Sequence, residues 1–402
     1  MRTVAEQQAH VLAAVRRLPT ERVGILEALE RTLAEPVVAA VPIPVFDNSG
    51  MDGFAVRTAD AAAGARLRVV AEVAAGSGAE PAIQAGEAVR IMTGAAMPRD
   101  AGAVVPVEDT AEGFAAGVND LVTIVAPPRS GAHIRRAGQD AGVGDVVLDA
   151  GVEIGPLQLS AIAAAGVGEV VVARRPRVGI VATGSELRTP GETLERGQIP
   201  ESNSYVLAAL AAEAGCDVEF VTSVPDDPAA LLAVLEGASG CDAILMSGGV
   251  SEGAHEPVKQ ALGGTMSFEK VSMQPGKPQG FGTTSGGALL FGFPGNPVSV
   301  AVSWEVFGRP ALLAMQGRRD IQRARLLLPT RSGWRSSRPR TQYIPVSIDR
   351  SEPARWTVGP ATAGGSGSHL AGGLARAEAY AIVPPEVDEV APGDLVEVML
   401  LG

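Results

Sequence analysis

Residues 177–187 read RVGIVATGSEL, a run that passes from a buried strand straight into a polar turn. Arg177 to Ala182 (RVGIVA) is short, apolar and β-branched, which predicts a strand covered by other elements. Thr183-Gly184-Ser185-Glu186 follows at its carboxyl end. The same unit recurs downstream. Asn203 to Ala214 reads as a helix closed by Gly215, Cys216 to Thr222 as a strand, and Pro228 to Ala238 as a helix capped by Asp227. Asp242 to Met246 (DAILM) and Leu289 to Gly292 supply further strands, and Pro297 to Met315 a long helix. Strand, loop and helix in alternation predict a parallel sheet with helices on both faces.

This unit does not fill the chain. At 402 residues the protein is too long for one core, and roughly two to four domains are expected. Thr3 with Glu6 forms a capping box, and Val4, Val11, Leu12 and Val15 recur at helical spacing. A second helix is predicted from Glu21 to Leu33, ended by Pro36. From Pro42 to about Ser130 the pattern changes to short β-like runs, such as Arg66 to Val73 and Leu121 to Val125, separated by Gly, Pro and Asp. After Gln316 the chain is rich in arginine (Arg318, Arg319, Arg323, Arg325). It then becomes β-like again around a Gly/Ser segment, GGSGSH, at 364–369. A small β-rich unit and a terminal β-unit are the simplest readings.

Composition removes several functions. The chain carries 33 basic and 45 acidic residues, a net charge of −12, with 4% aromatics. Such a chain is a poor nucleic-acid binder by field or by stacking, so no nucleic-acid partner is expected. Hydrophobic residues at 46% provide ample core. No apolar run reads as reaching the roughly 18 residues of a membrane span. Glu6, Gln7 and His10 interrupt any secretory signal, and cytoplasmic residence is the expectation. Cys216 and Cys241 flank apolar runs without CxxC spacing and read as buried thiols. His10, His133, His255 and His369 are scattered and give no zinc pattern.

The candidate chemistry lies in the turns at strand ends, where open parallel sheets bind ligands. Besides the 183–186 turn, these are Ser247-Gly248-Gly249-Val250-Ser251 and Pro294-Gly295-Asn296-Pro297. Bare backbone N–H groups and hydroxyls in such loops suit a phosphate. Glu186, Asp226, Asp227 and Glu256 accompany them, and hard carboxylate oxygens suit Mg²⁺. Asp226 and Asp227, before Pro228, read equally well as a helix-start cap. Lys259, Lys270 and Lys277 fall in the same stretch of a chain otherwise poor in lysine, which favours anion binding. Three further polar segments precede the α/β unit. DNSGMDGFAVR at 47–57 follows the extended VPIPVF, RIMTGAAMP at 90–98 carries Thr93, and RRAGQD at 135–140 carries Arg135 and Asp140. Taken alone, the first is an ordinary hairpin turn and the last a surface ion pair.

Taken together and in order, these segments resemble the molybdopterin molybdenumtransferase family, which includes bacterial MoeA proteins and the E domain of gephyrin. The matching stretches are 44–57, 86–98, 135–140, 182–187 (ATGSEL), 246–251 (MSGGVS), 274–278 (QPGKP) and 293–299 (FPGNPVS), and they span most of the chain. The resemblance implies a multidomain α/β protein. Its parts would be an elongated domain from residues 1–40 and 135–172, an inserted β-rich domain at 41–134, an α/β domain at 173–317 with a parallel or mixed sheet, and a C-terminal β-barrel domain at 318–402. It implies Mg²⁺-dependent insertion of molybdate into adenylylated molybdopterin, releasing AMP. It implies a cytoplasmic homodimer whose active site is shared between subunits. Other cofactor-pathway proteins, including the adenylyltransferase, are possible partners.

By the same resemblance, Asp52, Thr93, Asp140, Glu186 and Asp226 match catalytic positions. Ser247, Gly248, Gly249 and Ser251 match the phosphate loop, and Arg135, Lys259, Lys270, Lys277, Pro294 and Asn296 match ligand-binding positions. Glu186, Asp226, Asp227 and Glu256 would serve the metal. Three positions depart from the family pattern: Ser185 and Glu256 stand where Asp is common, and Gln274 where Lys is. Two alternatives remain at this point. One is the adenylyltransferase of the same pathway, a single α/β unit, and the other is a non-catalytic dimeric scaffold of the gephyrin type.

Overall fold

The alternation between 177 and 315 builds a six-stranded sheet. In spatial order its strands are Asp217–Val224, Arg177–Thr183, Ala243–Ser247, Leu289–Phe293, Pro278–Thr283 and Met266–Lys270. The first four run parallel. The last two turn antiparallel, so the sheet is mixed rather than purely parallel. Chain length explains the change. Only residues 284–288 separate the strands Pro278–Thr283 and Leu289–Phe293, whereas a parallel return needs a crossover of about a dozen residues or more. The structure, a computed structural model, describes all residues except 252–255, 337–338, 363–366 and 368. His255 and most of the GGSGSH segment therefore lie outside the described residues.

Neighbouring residues on each central strand enter opposite cores, as the two-residue period of a strand requires. Ile180, Leu245 and Phe291 join one core with Leu207, Ala211, Trp304 and Leu312 of the helices on that face. Val181, Ile244 and Leu290 join the other, with Leu231 and Val258 from the helices Pro228–Gly237 and Pro257–Leu262. The predicted long helix is one run, α-helical at Pro297–Ser303 and Arg309–Met315 with a π-turn at Trp304–Gly308 between. This run corrects the expectation about apolar length. Pro297–Met315 is long and apolar enough to cross a membrane by length and composition, but its most apolar stretch is 89% buried inside the fold. It is a core helix because sheet and neighbouring helices cover it on all sides.

Around this unit lie smaller ones. The helix Val4–Ala13 has the predicted capping box, with Thr3 Oγ1 accepting from Glu6 N–H and Glu6 accepting from Thr3 N–H. It lies on the α/β core: Val11 is buried there and His10 meets Phe281 edge-on, with ring centroids 5.5 Å apart. The predicted helix from Glu21 to Leu33 does not form. Thr20–Gly24 is a strand paired antiparallel with Glu169–Ala173, followed by turns. Cross-strand pairing with β-branched Val170, Val171 and Val172 overrides the weak local helix preference. Arg31 then staples the turn, donating to Glu21 and to the Ala173 carbonyl.

The β-rich unit is a five-stranded sheet ordered Ala103–Pro106, Gly53–Val56, Glu87–Ile91, Arg66–Val73 and Leu121–Thr123. Its cores are separate from the α/β cores. The C-terminal sheet is built from Thr341–Asp349, Ala379–Val383, Leu395–Leu400 and Arg325–Pro329, with Thr357–Pro360 alongside. Its edge is Met273–Gln274, pairing in parallel with Thr341 and Gln342. A strand from within the α/β segment thus sews the two units together.

A buried ion pair strengthens that junction. Glu305, whose side chain is 1% exposed, accepts from Arg323 Nε at 2.9 Å and Nη2 at 3.0 Å. Removing one partner strands a charge away from water. Arg323→Met should lower unfolding free energy by roughly 3–5 kcal/mol in urea titration, and adding Glu305→Met should recover most of it.

Candidate active site

The carboxyl ends of all the parallel strands converge on one cavity of about 840 Å³. The strand ending at Thr183 contributes Gly184 and Glu186, and the strand ending at Val224 contributes Asp226. Gly248, Gly249 and Ser251 follow Ser247, while Pro294 and Asn296 follow Phe293. The edge turn 274–277 brings Gln274 and Lys277. Every one of these residues lines the cavity. This is the ligand edge that the alternating sequence pattern predicts.

The glycine loop is shaped by close approach. Gly248 has φ +88° and Gly249 φ +65°. A Cβ on Gly248 would lie 2.5 Å from the Thr183 carbonyl oxygen, and one on Gly249 would lie 3.0 Å from Thr183 Oγ1. Left-handed backbone and absent space both demand glycine here. Gly248 N–H donates to the Phe293 carbonyl at 3.0 Å. Ser251 N–H donates to Glu256 Oε2 at 2.7 Å, so Glu256 braces the far end of the loop. Ser247 is placed differently from the expectation. It is 2% exposed, it does not line the cavity, and its Oγ is buried without a partner.

The carboxylates separate by role. Ser185 and Asp226 bind each other reciprocally: Ser185 N–H donates to Asp226 Oδ2 at 3.1 Å, and Asp226 N–H donates to Ser185 Oγ at 3.0 Å. The uncharged Ser185 thus fixes Asp226 on the cavity wall without adding a third acid at that turn. Asp227 does not line the cavity. Its Oδ1 accepts from Ala229 N–H at 2.9 Å and caps the helix Pro228–Gly237, which is the alternative its Asp-Asp-Pro context offered. Among the described residues no group of three or more His, Cys, Asp or Glu is arranged to hold a metal. Glu186, Asp226 and Glu256 are the carboxylates that line the cavity, and Glu256 is engaged with Ser251 N–H. Mg²⁺ uses about one or two carboxylates besides substrate phosphate and water, so the remaining two suffice.

Of the chain's three lysines only Lys277 lines the cavity. Lys259 lies over the Phe268 ring, 5.9 Å from its centroid, because its helix turns that face to the outer strand. Lys270 ends the edge strand, where its carbonyl accepts from Arg2 N–H. Of the three lysines expected to bind ligand, Lys259 and Lys270 thus stand outside the cavity lining, since residues close in sequence end on different elements. The C-terminal unit adds polar groups at and behind the lining. Arg340 Nη1 donates to Gln274 Oε1 at 2.7 Å, and His369 joins the lining. Asn203 also lines it, at the start of the helix Asn203–Glu213. Sequence reading missed all three: Arg340 and His369 arrive through tertiary pairing, and Asn203 looked like an ordinary helix start.

Asp52, Thr93, Arg135 and Asp140 do not line this cavity. They gather at one loop cluster of the β-rich unit. Asp47 accepts from Arg136 and, at 2.8 Å, from Ala137 N–H, while Asn48–Ser49 pairs with Ile134–Arg135. Ser49 N–H donates to Ala95 O and Gly94 N–H to Ser49 O. The stretches 47–57, 90–98 and 135–140, distant in sequence, thus form one surface. Within it Asp52 Oδ1 accepts from Thr93 N–H at 2.6 Å and Thr93 Oγ1 at 2.7 Å. The backbone bond, then the hydroxyl, holds the Asp52 carboxyl below its ordinary range. The cysteines, as expected, are buried free thiols, and burial pushes Cys216 up to about 12.

A mixed sheet with a glycine-loop cavity, flanked by a β-rich insertion and a C-terminal β-unit, defines a class. The chain matches the MoeA N-terminal region (domain I and II) over residues 2–166, the probable molybdopterin binding domain over 179–314, and the MoeA C-terminal region (domain IV) over 328–401. It is similar along its length to molybdopterin molybdenumtransferase 2 of Mycobacterium tuberculosis H37Rv, 39% identical over 412 residues and covering 99% of each chain. Molybdopterin molybdenumtransferase 1 of the same organism is 35% identical over 432 residues, covering 100% of this chain and 99% of its own. A crystal structure of the molybdopterin biosynthesis MoeA protein from Pyrococcus horikoshii OT3 superposes with a TM-score of 0.84 at 28% identity, covering 100% of both chains. The chain belongs to the MoeA family of molybdopterin molybdenumtransferases.

The Asp52–Thr93 pair has a readable titration. A lowered pKa means that the favourable contribution of Asp52 is complete above the ordinary carboxylate range and is lost as pH falls through the lowered value. Thr93→Val removes the hydroxyl and keeps the N–H. Carbon-detected NMR titration should show the Asp52 pKa rising towards the ordinary value.

Proposed function

We infer that this chain inserts molybdenum into molybdopterin. The observation that carries the reading is one cavity that joins a two-glycine phosphate loop, a carboxylate pair and Lys277, in a chain aligned end to end with molybdenumtransferases. The finer steps are part of the same inference. Adenylylated molybdopterin is the substrate and AMP the leaving product. The Gly248–Gly249 loop, where no side chain stands in the way, receives a phosphate, and Lys277 offsets its charge and that of molybdate. Glu186 and Asp226 would hold Mg²⁺, which supplies Lewis-acid polarisation of the phosphoryl group. The dithiolene sulfurs belong to the pterin, so buried Cys216 and Cys241 have no part.

Asp52 is read as an orienting carboxylate. A base is most effective with a pKa near the working pH, and Asp52 is held in the opposite direction. Asp140 and Arg135 stand on the same loop cluster and complete its polar face. That cluster meets the cavity of a second copy in this reading. Exposed apolar side chains on the elongated unit support a homodimer: Leu26 and Leu157 are each 81% exposed, and Val143 is 66% exposed. Cytoplasmic residence fits free thiols. The adenylyltransferase alternative leaves the β-rich and C-terminal units without a role.

AMP release from adenylylated molybdopterin should require both molybdate and Mg²⁺, measured by chromatography of the products. Glu186→Ala should lower the rate by roughly 100-fold or more. Full release without molybdate would sink the insertion reading. Mixing Asp52→Ala and Glu186→Ala subunits tests the shared site. Heterodimers should regain one working site of the pair, whereas a site confined to one chain would leave them inactive.

A further inference from the structure

We propose that Asn203 is a positioning residue of the cavity, holding the Pro294–Asn296 turn and, through it, the Gly248–Gly249 loop; its kinetic consequence rests on the insertion reading above. Asn203 is 8% exposed and lines the cavity. Its Nδ2 donates to the Gly295 carbonyl at 2.6 Å. Gly295 in turn lies against the phosphate loop, since a Cβ built on it would be 3.5 Å from Gly248 Cα. The amide is itself held from behind. Asn203 N–H and Ser204 N–H donate to Glu201 Oε1 at 2.6 and 2.9 Å, Ser204 Oγ donates to Glu201 Oε2, and Glu201 is 5% exposed. A rigid path therefore runs from Glu201 through Asn203 and Gly295 to Gly248.

The other half of the amide shows why stability alone does not account for it. Asn203 Oδ1 is buried without a hydrogen-bond partner. One neutral bond gained and one acceptor left desolvated roughly cancel. Leucine is close to isosteric and would suit a wall that already holds Leu187, Ile199 and Pro200. What leucine lacks is the hold on Gly295. Loss of that hold loosens the turn and the loop that receives the phosphate, while Glu186 and Lys277 stay in place.

The test uses the full chain with Asn203→Leu and Asn203→Asp. For Asn203→Leu the expected results are an unfolding midpoint no lower than wild type and a KM for adenylylated molybdopterin raised about tenfold with kcat little changed. Amide hydrogen exchange over 293–297 and 247–250 should quicken by a similar factor. Asn203→Asp adds a signature that a purely structural role would not give. Its carboxylate cannot donate to Gly295, but the protonated acid can, so its KM defect should shrink as pH falls while that of Asn203→Leu stays flat. Glu201 on the same turn, with Glu186, Asp226, Glu256, His369 and Lys277 across the cavity, are the charged or titratable neighbours. Unchanged exchange and unchanged KM in a folded Asn203→Leu protein overturn the assignment, as does a lowered midpoint with wild-type KM. Should that variant not fold, the pH reversal in Asn203→Asp decides. Absence of AMP release by wild type would sink the insertion reading alone, because exchange still reports on the turn.

Discussion

The approach of Thr183 to Gly248 and Gly249 is the constraint on which the rest of the site depends. Two strands in parallel register, Arg177–Thr183 and Ala243–Ser247, deliver their ends side by side. Thr183 Oγ1 then donates to the Ser247 carbonyl at 3.3 Å, and the next residues pass so close that no Cβ fits. A backbone without side chains is left at the edge of a cavity whose floor is the sheet. The remaining strand ends add carboxylates, an amide and a lysine around that loop. Each gains its place from strand register, and register is set by burial on both faces of the sheet.

The second functional surface is built by different means. Stretches 47–57 and 90–98 share strand pairing and a small core that holds Ala55, Ile91 and Ala95, and the polar contacts of Asp47 and the pairing of Asn48–Ser49 add 135–140 to them. A surface held by hydrogen bonds can be polar throughout and still keep its shape, because each bond fixes a direction. Asp52 profits from this. Its two bonds to Thr93 set both its orientation and its charge state.

Several positions singled out in the sequence find their explanation in neighbours. Ser185 serves Asp226 through a reciprocal pair of hydrogen bonds. Gln274 lacks a cation but accepts from Arg340, which the C-terminal sheet places beside it. Gly53, which reads in DNSGMDG as a turn glycine, opens a strand instead. A Cβ there would lie 2.1 Å from the Val105 carbonyl, so the reason for glycine is contact rather than positive φ.

Sequence alone determined the alternation from 177 to 315, the polar turns after each parallel strand, and the β-rich character of residues 42 to 130. These features rest on local chemistry: apolar runs, capping residues such as Asp227, and glycine loops read correctly without knowledge of neighbours. Tertiary structure decided the strand at Thr20–Gly24, the antiparallel edge of the sheet, the dispersal of Lys259 and Lys270, the pairing of Arg340 with Gln274, and the arrival of His369 at the cavity. The physical reason is that each depends on a partner outside its own element, from a neighbouring strand or ring for the sheet edge and Lys259 to residues well over a hundred positions away for Thr20–Gly24. Pairing or burial against that partner outweighs the small local preference written in the chain.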